Sequence, residues 1–168
     1  DRAVKLWDVD NGREIFSLQG HTGPIVSLAF SPNGHWLSSG SLDNTIKVWD
    51  LNSGSEVQTL NKHTAPVSAL AFNSSGALLL SAAGSDVIAW DTKTWQERKT
   101  FKHGTAAITA LAFGNDENTL ACATTDGSIV FRRINSDRER VLKQNSTPVL
   151  RINFANKSLV AIHANGGV

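Results

Sequence analysis

Short apolar runs recur along the chain, separated by polar stretches rich in Gly, Asn, Asp, Ser and Pro. The runs Ile25–Phe30 and Val67–Phe72 are almost continuously apolar, as is typical of strands buried on both faces. Ala3–Trp7 alternates apolar and polar residues, as a half-buried strand does. Turn signals such as the Ser-Pro-Asn-Gly of residues 31–34 separate the runs, and no stretch shows a convincing helical period. The pattern predicts an all-β protein.

The predicted strands fall into groups of two, four, four, four and two along the chain. They are Ala3–Trp7 and Glu14–Gln19; Ile25–Phe30, Trp36–Ser41, Thr45–Asp50 and Glu56–Leu60; Val67–Phe72, Leu78–Ala82, Asp86–Asp91 and Gln96–Phe101; Ile108–Phe113, Thr119–Thr124, Ser128–Arg133 and Glu139–Lys143; Val149–Phe154 and Ser158–His163. The groups divide the chain into a partial unit at 1–20, three full units at 21–61, 62–101 and 102–143, and a partial unit at 144–168.

The units are copies of one another, with Gly-His near the start and Trp-Asp near the end. The pairs Trp7-Asp8, Trp49-Asp50 and Trp90-Asp91 lie 42 and 41 residues apart, and Phe131 follows 41 residues later. A period of 40–45 residues with Gly-His and Trp-Asp pairs at these places is the signature of a WD40 propeller repeat, so residues 21–50 resemble the WD40 family. The resemblance implies one WD40 domain over 1–168, a β-propeller fragment with about four blades' worth of four-stranded antiparallel sheets, from a seven-bladed ring.

In this family a side-chain relay locks each blade: a His, an Asp, a Ser or Thr, and the Trp. The resemblance assigns all four places in the first full unit to His21, Asp43, Ser39 and Trp49. Their donor and acceptor capacities allow a continuous chain of hydrogen bonds, and breaking one buried link costs roughly 1–3 kcal/mol.

The other units keep fewer relay members. The second unit has His63, Ser81 and Trp90. Asp86 lies only four residues before Trp90, whereas Asp43 lies six before Trp49, so we do not assign Asp86 to the relay on this spacing. The third unit keeps His103 and Asp126, but Cys122 stands at the Ser place and Phe131 at the Trp place, so we expect its relay to be absent. Asp1 and Trp7 keep the six-residue spacing of Asp43 and Trp49 at the start of the chain.

The charge balance and the numbers of Cys and Met bear on the partner, the location and the extent of the protein. Sixteen Lys and Arg balance fifteen Asp and Glu, which makes nucleic acid an unlikely partner. One Cys and no apolar run long enough to cross a bilayer suit a cytoplasmic protein, or a nuclear one in a eukaryote. The absence of Met, even at position 1, indicates a segment of a longer protein. In the alternative, the chain closes on itself as four blades, with Asn145 at the His place and Ala161 at the Ser place.

Nothing in the sequence points to catalysis, a cofactor or a metal. The repeated histidines lie on different blades, too far apart to share one zinc ion. Cys122 falls in a predicted inner strand and is interpreted as a buried apolar residue. Five basic residues lie close together near the end of the third full unit: Arg132, Arg133, Arg138, Arg140 and Lys143. We interpret them as a solvated outer face rather than a phosphate site.

Binding through loops therefore remains the leading hypothesis. Loops on a rigid scaffold vary freely and carry recognition, and two sets of propeller loops share one rim. The partner-binding candidates on that rim are Pro24, Leu42, Asn44, Lys62, Pro66, Ser85, Lys102, Thr105 and Thr125. We expect a non-catalytic scaffold that binds a protein or peptide. The alternatives are a regulatory or sensor module of a larger signalling enzyme, such as a kinase or nucleotide-binding protein, and a propeller hydrolase with clustered acidic or His residues at the channel mouth.

Overall fold

A computed structural model describes residues 1–143, 147–155 and 158–164. Within them the chain forms sixteen strands and no helix, which confirms the all-β prediction. The strands are β1 (Ala3–Trp7), β2 (Glu14–Gln19), β3 (Ile25–Phe30), β4 (Trp36–Ser41), β5 (Ile46–Asp50), β6 (Ser55–Leu60), β7 (Val67–Phe72), β8 (Leu78–Ala83), β9 (Asp86–Asp91), β10 (Glu97–Lys102), β11 (Ile108–Phe113), β12 (Thr119–Thr124), β13 (Ser128–Arg133), β14 (Glu139–Lys143), β15 (Val149–Ala155) and β16 (Ser158–His163).

The strands pair with their sequence neighbours in five antiparallel sheets. We name them sheet A (β1–β2), sheet B (β3–β6), sheet C (β7–β10), sheet D (β11–β14) and sheet E (β15–β16). In the described residues, sheets A and E are separate two-stranded sheets with no ladder between them. Of the two residues named for self-closure, Ala161 lies in β16 and Asn145 lies outside the described residues.

The core lies between neighbouring sheets. Ile46 and Val48 of sheet B pack with Leu70 and Ile88 of sheet C in one buried cluster. A second buried cluster joins sheets C and D, and a third joins sheets D and E. Each full sheet buries apolar side chains on both of its faces, as the apolar runs of β7 and β11 predict.

The same prediction for Ile25–Phe30 was wrong, because the face that carries Val26, Leu28 and Phe30 is open to solvent, with exposures of 50%, 50% and 55%.

A bulge near the start of the first strand links sheet C to sheet D and sheet D to sheet E. The ladder shifts at the second residue of β7 and of β11, which are Ser68 and Thr109. The Ser68 hydroxyl donates to the Ile108 carbonyl of sheet D at 2.7 Å, and the Thr109 hydroxyl donates to the Val149 carbonyl of sheet E. The bulge turns a polar side chain out of its own ladder, and in sheets C and D that side chain bonds to the neighbour.

The turn between the third and fourth strands contains a strained residue in sheet C. Gly12 and Gly54 hold the same place in sheets A and B with φ of 68°, and Trp95 holds it in sheet C with φ of 54°. A bulky residue in this region is strained. The Trp95 ring packs edge-on against Trp36 of sheet B, with 6.3 Å between ring centroids, and this burial offsets the strain.

Candidate functional site

Sheet B contains a continuous chain of four side chains. The loop into β3 supplies His21, β4 supplies Ser39, the following turn supplies Asp43, and β5 supplies Trp49. Trp49 Nε1 donates to Ser39 Oγ at 2.9 Å, and Ser39 Oγ lies 2.8 Å from His21 Nε2. His21 Nδ1 lies 2.9 Å from Asp43 Oδ2. The four residues that the resemblance assigned to the relay are thus in mutual contact.

Donor and acceptor rules fix the proton on the Asp43 side of this chain. The carboxylate of Asp43 only accepts, so His21 Nδ1 carries the hydrogen of that contact. Burial raises the pKa of Asp43, but hydrogen bonds from Thr45, His21 and Thr22 lower it more, and the pKa lies well below its usual value. The ionised carboxylate therefore organises the turn and the loop together.

Sheet C forms a shorter version of the same network. His63 Nε2 lies 2.7 Å from Ser81 Oγ, which accepts from Trp90 Nε1 at 2.8 Å. Burial lowers the pKa of His63 to about 4, although the charge of Asp86 opposes the shift. Asp86 acts on His63 by its charge, and no hydrogen bond joins the two side chains in the described part of the chain. The neutral ring fits a network with no carboxylate acceptor.

Sheet D departs from the sequence assignment. Trp49 pairs with Leu37 in sheet B, and Trp90 pairs with Leu79 in sheet C. The equivalent residue of β12, Leu120, pairs with Arg132 and not with Phe131. The assignment of Phe131 to the Trp place was wrong because the turn before β9 is one residue shorter, which shifts the count from Trp90. The spacing of six from Asp126 to Arg132 is the signal that identifies the correct residue.

Arg132 builds a different polar cluster at the Trp place. Its Nη2 donates to Glu139 of β14 and to the Lys102 carbonyl at 3.1 Å, and its guanidinium carbon lies 5.9 Å from the centre of the Phe101 ring. His103 Nδ1 lies 3.8 Å from Glu139 Oε2 and has no hydrogen-bond partner among the residues that the structure describes. His103 is therefore not held as His21 and His63 are. The prediction that Arg132 lies on a solvated outer face was wrong, because its side chain is 14% exposed, and Glu139 was not identified from the sequence.

Asp126 and Cys122, the other two relay positions of sheet D, have different surroundings in the described residues. Asp126 Oδ1 accepts from Thr124 Oγ1 at 2.6 Å and from the Ser128 amide at 3.1 Å, so it shapes the turn before β13. Cys122 is buried, and burial raises the pKa of its thiol to about 12, which suits an apolar packing role.

The first sheet holds the other two relay candidates. Trp7 is 52% exposed, and the Lys5 ammonium lies 5.7 Å from its ring centre. The Asp1 carbonyl accepts from the Ile25 amide at 3.1 Å. In the described residues no side-chain relay joins Asp1 to Trp7.

The partner-binding candidates lie on the loops into the sheets and on the turns between second and third strands. Alternate strands run in opposite directions, so both sets of loops lie at one end of the sheets, which we call the rim. Exposed members are Pro24, Leu42, Lys62, Pro66, Lys102, Thr105 and Thr125, and half-buried members are Asn44 and Ser85. Leu42 is a large apolar side chain with 47% of its surface exposed.

The described residues contain no group of three or more His, Cys, Asp or Glu side chains placed to hold a metal ion. Nor does this part of the chain include a helix long and apolar enough to cross a membrane.

Segments of the chain are similar to several known proteins. A WD40 repeat-containing protein of Arabidopsis thaliana, HOS15, is 50% identical over 38 residues, which is 23% of this chain and 6% of the relative. The periodic tryptophan protein 2 homolog of Neurospora crassa is 50% identical over 42 residues, 25% of this chain and 5% of the relative. A guanine nucleotide-binding protein subunit beta-1 of Homarus americanus is 40% identical over 43 residues, 26% of this chain and 13% of the relative. The chain thus covers a small part of the length of each.

The family profile described as "WD domain, G-beta repeat" matches residues 12–50, 54–91 and 95–131. These stretches make up more than half of the chain, and each ends at the third strand of a sheet. WD40 domains generally bind proteins and typically are not catalytic. The repeat profile and the sheet architecture agree, and the chain belongs to the WD40 (WD domain, G-beta repeat) family.

Proposed function

We propose that the protein is a non-catalytic interaction scaffold that binds a protein or peptide through its rim. The observation that carries the proposal is the exposed rim residue Leu42, which directly precedes the relay residue Asp43. Leu42 is 47% exposed, and its amide donates to the Pro24 carbonyl at 2.9 Å. An apolar side chain on a fixed loop binds with little loss of conformational entropy.

The polar residues around Leu42 support the rim and are already engaged within the protein. Asp43 is bonded to His21, Thr22 and Thr45, so its carboxylate is committed to holding two loops together. The exposed rim residues remain for recognition, in keeping with the general use of WD40 domains for protein binding. We further propose a location inside the cell, because the single cysteine allows no internal disulfide.

A matched pair of charge insertions tests the proposal once a binding partner is purified. Val9 is 95% exposed and lies in the turn between β1 and β2, at the opposite end of the sheets from the rim. We expect Leu42→Asp to weaken partner binding by about tenfold or more, as for an exposed anchor residue, and Val9→Asp to change it by less than about twofold. Titration by calorimetry with the same partner measures both dissociation constants. Equal losses in the two variants, or a loss only in Val9→Asp, would contradict binding through the rim.

A further inference from the structure

The loop into sheet D, residues 102–107, is attached differently from the loops into sheets B and C. His21 and His63 bond to serines of the sheet that their loop leads into. In the loop into sheet D the His103 amide donates to the Ser85 carbonyl at 3.0 Å, and the Ile108 amide that follows the loop donates to the Gly84 carbonyl at 2.7 Å. The Thr125 amide donates to the Ala107 carbonyl at 2.9 Å, so main-chain bonds fix the end of this loop to the turns of both sheet C and sheet D.

The side chain that connects the loop to sheet D itself is Arg132. Its guanidinium donates both to the Lys102 carbonyl and to Glu139. The Arg132 side chain is 14% exposed and the Glu139 side chain is 41% exposed, so the ion pair is reached by water and dissolved ions. In sheet B the corresponding link is buried, with side-chain exposures of 0% for His21 and 8% for Asp43.

This difference has a consequence for how each loop responds to salt. Ion pairs reached by solvent are weakened by screening, whereas buried hydrogen bonds are screened much less. Within the described part of the chain, the buried Arg132 Nε and the buried His103 Nδ1 have no hydrogen-bond partner. The side-chain attachment of the loop therefore depends on one solvent-reached ion pair beside two unmet hydrogen-bonding groups, and weakening that pair leaves the main-chain bonds alone to hold the loop.

We propose that Arg132 and Glu139 form an electrostatic latch that replaces the relay in sheet D and makes the loop of residues 102–107 open with increasing ionic strength. The latch is a conformational device of the rim. It lets one sector of the rim move while the sector at sheet B, which is held by the buried contact of His21 with Asp43, stays fixed. A partner that presents an anionic group at the rim would compete with Glu139 for the same guanidinium, so the loop position depends on local charge.

Hydrogen exchange of the free protein, followed by mass spectrometry, tests the latch without any partner. Segment 102–108 is compared with segment 20–25 in NaCl at about 50 mM and about 500 mM, which shortens the screening length severalfold. We expect exchange in 102–108 to rise about two- to fivefold, as for the loss of a solvent-exposed ion pair, and exchange in 20–25 to stay within the scatter of replicates. An unchanged rate in 102–108, or an equal rise in both segments, overturns the latch.

Glu139→Gln tests the ion pair directly. We expect segment 102–108 of this variant to exchange about fivefold faster at low salt, since the guanidinium loses its charged partner, and to show no further salt response. Glu56 holds the same place in β6 and pairs with Lys47 of β5 at 2.7 Å, so Glu56→Gln is the matched control and keeps the salt response of 102–108. A salt response that persists in Glu139→Gln refutes the assignment.

A double variant converts the latch back to a relay. Cys122→Ser with Arg132→Trp supplies the serine acceptor and the indole donor that His63 has in sheet C. We expect slower exchange in 102–108 and no salt response in the double variant. If the double variant still responds to salt as the unmodified protein does, Arg132 is not the cause. None of these readouts involves a partner, so a failed latch leaves the proposed binding function untouched, and a failed partner assay leaves the latch standing.

Discussion

Replacing Asp43 by alanine is expected to destabilise the protein more than the same change at Asp86. Asp43 Oδ2 accepts from His21 Nδ1 and from the Thr22 amide, both at 2.9 Å. Its other oxygen accepts from the Thr45 amide at 2.9 Å and from the Thr45 hydroxyl at 2.6 Å. Asp86 is half-buried and influences His63 through its charge.

The magnitude follows from the donors that lose their acceptor. The His21 side chain is fully buried, and without the carboxylate its Nδ1–H keeps only the longer contact to Thr45 Oγ1 at 3.3 Å, so the loss costs roughly 1–3 kcal/mol. The amide donors of Thr22 and Thr45 add about 1 kcal/mol in total, because Thr22 is exposed and water replaces its lost bond. We expect Asp43→Ala to lower the free energy of unfolding by about 3 kcal/mol. Asp86→Ala should lower it by less than about 1 kcal/mol, as for a surface substitution outside a network.

Urea unfolding followed by tryptophan fluorescence measures both variants. Trp49 and Trp90 are each 2% exposed, so unfolding moves them into water and changes their emission. The dependence on urea must have the same slope in all variants for the comparison to report stability alone. Asp43→Asn keeps one acceptor oxygen and should fall between the alanine variant and the unmodified protein. Equal losses at Asp43 and Asp86 would refute the view that the relay of sheet B is the stronger one.

Three further predictions concern other parts of the fold. The pKa of His63 falls from 6.5 to about 4, so the unfolded chain binds the proton more readily between these values. The contribution of His63 to the free energy of unfolding should therefore be greatest above pH 6.5 and fall by up to ~3 kcal/mol as the pH drops to 4. Urea unfolding at a series of pH values measures this decline, which should be smaller in His63→Gln. Ser68→Ala removes a donor to the next sheet and should cost about 1 kcal/mol in the same assay, whereas Ser27→Ala, which removes no such bond, should be close to neutral. Trp95→Gly relieves about 1 kcal/mol of backbone strain but loses the contact with Trp36 and its buried area, so thermal unfolding should show a net loss of about 2 kcal/mol; a stabilised variant would contradict this reasoning.

The strand pattern could be predicted almost completely from the sequence, with each boundary placed within one residue of the observed one. Runs such as Ile108–Phe113 are bounded by turn residues, and a strand that is buried on both faces leaves an uninterrupted apolar signal. The relay of sheet B was also predictable, because all four residue types occur at the spacing of the family. The inter-sheet bond from Ser68 was not predictable, since one serine in an apolar run has no recognisable pattern.

The error at Phe131 shows what counting along the chain leaves out. A repeat period measures residues, whereas position in a sheet depends on pairing register, and a turn that is one residue shorter separates the two. Phe131 consequently faces sheet E and packs edge-on against Phe154, with 6.3 Å between ring centroids. Arg132 then faces sheet C.

The residues at the Ser and Trp places of sheet D form a matched pair. A tryptophan beside Cys122 would bury an indole N–H next to a thiol, which is a weak acceptor, and an unmet buried donor costs roughly 1–3 kcal/mol. Arginine also leaves one buried N–H unmet among the described residues, at Nε, but its long side chain carries Nη2 to the Lys102 carbonyl and to Glu139. Once the serine place holds cysteine, a residue that finds its partners elsewhere is favoured at the tryptophan place, and those partners lie on the loop and on the exposed outer strand. In sheet D the side chains that hold the loop therefore belong to a solvent-reached ion pair, whereas in sheet B they belong to a buried relay.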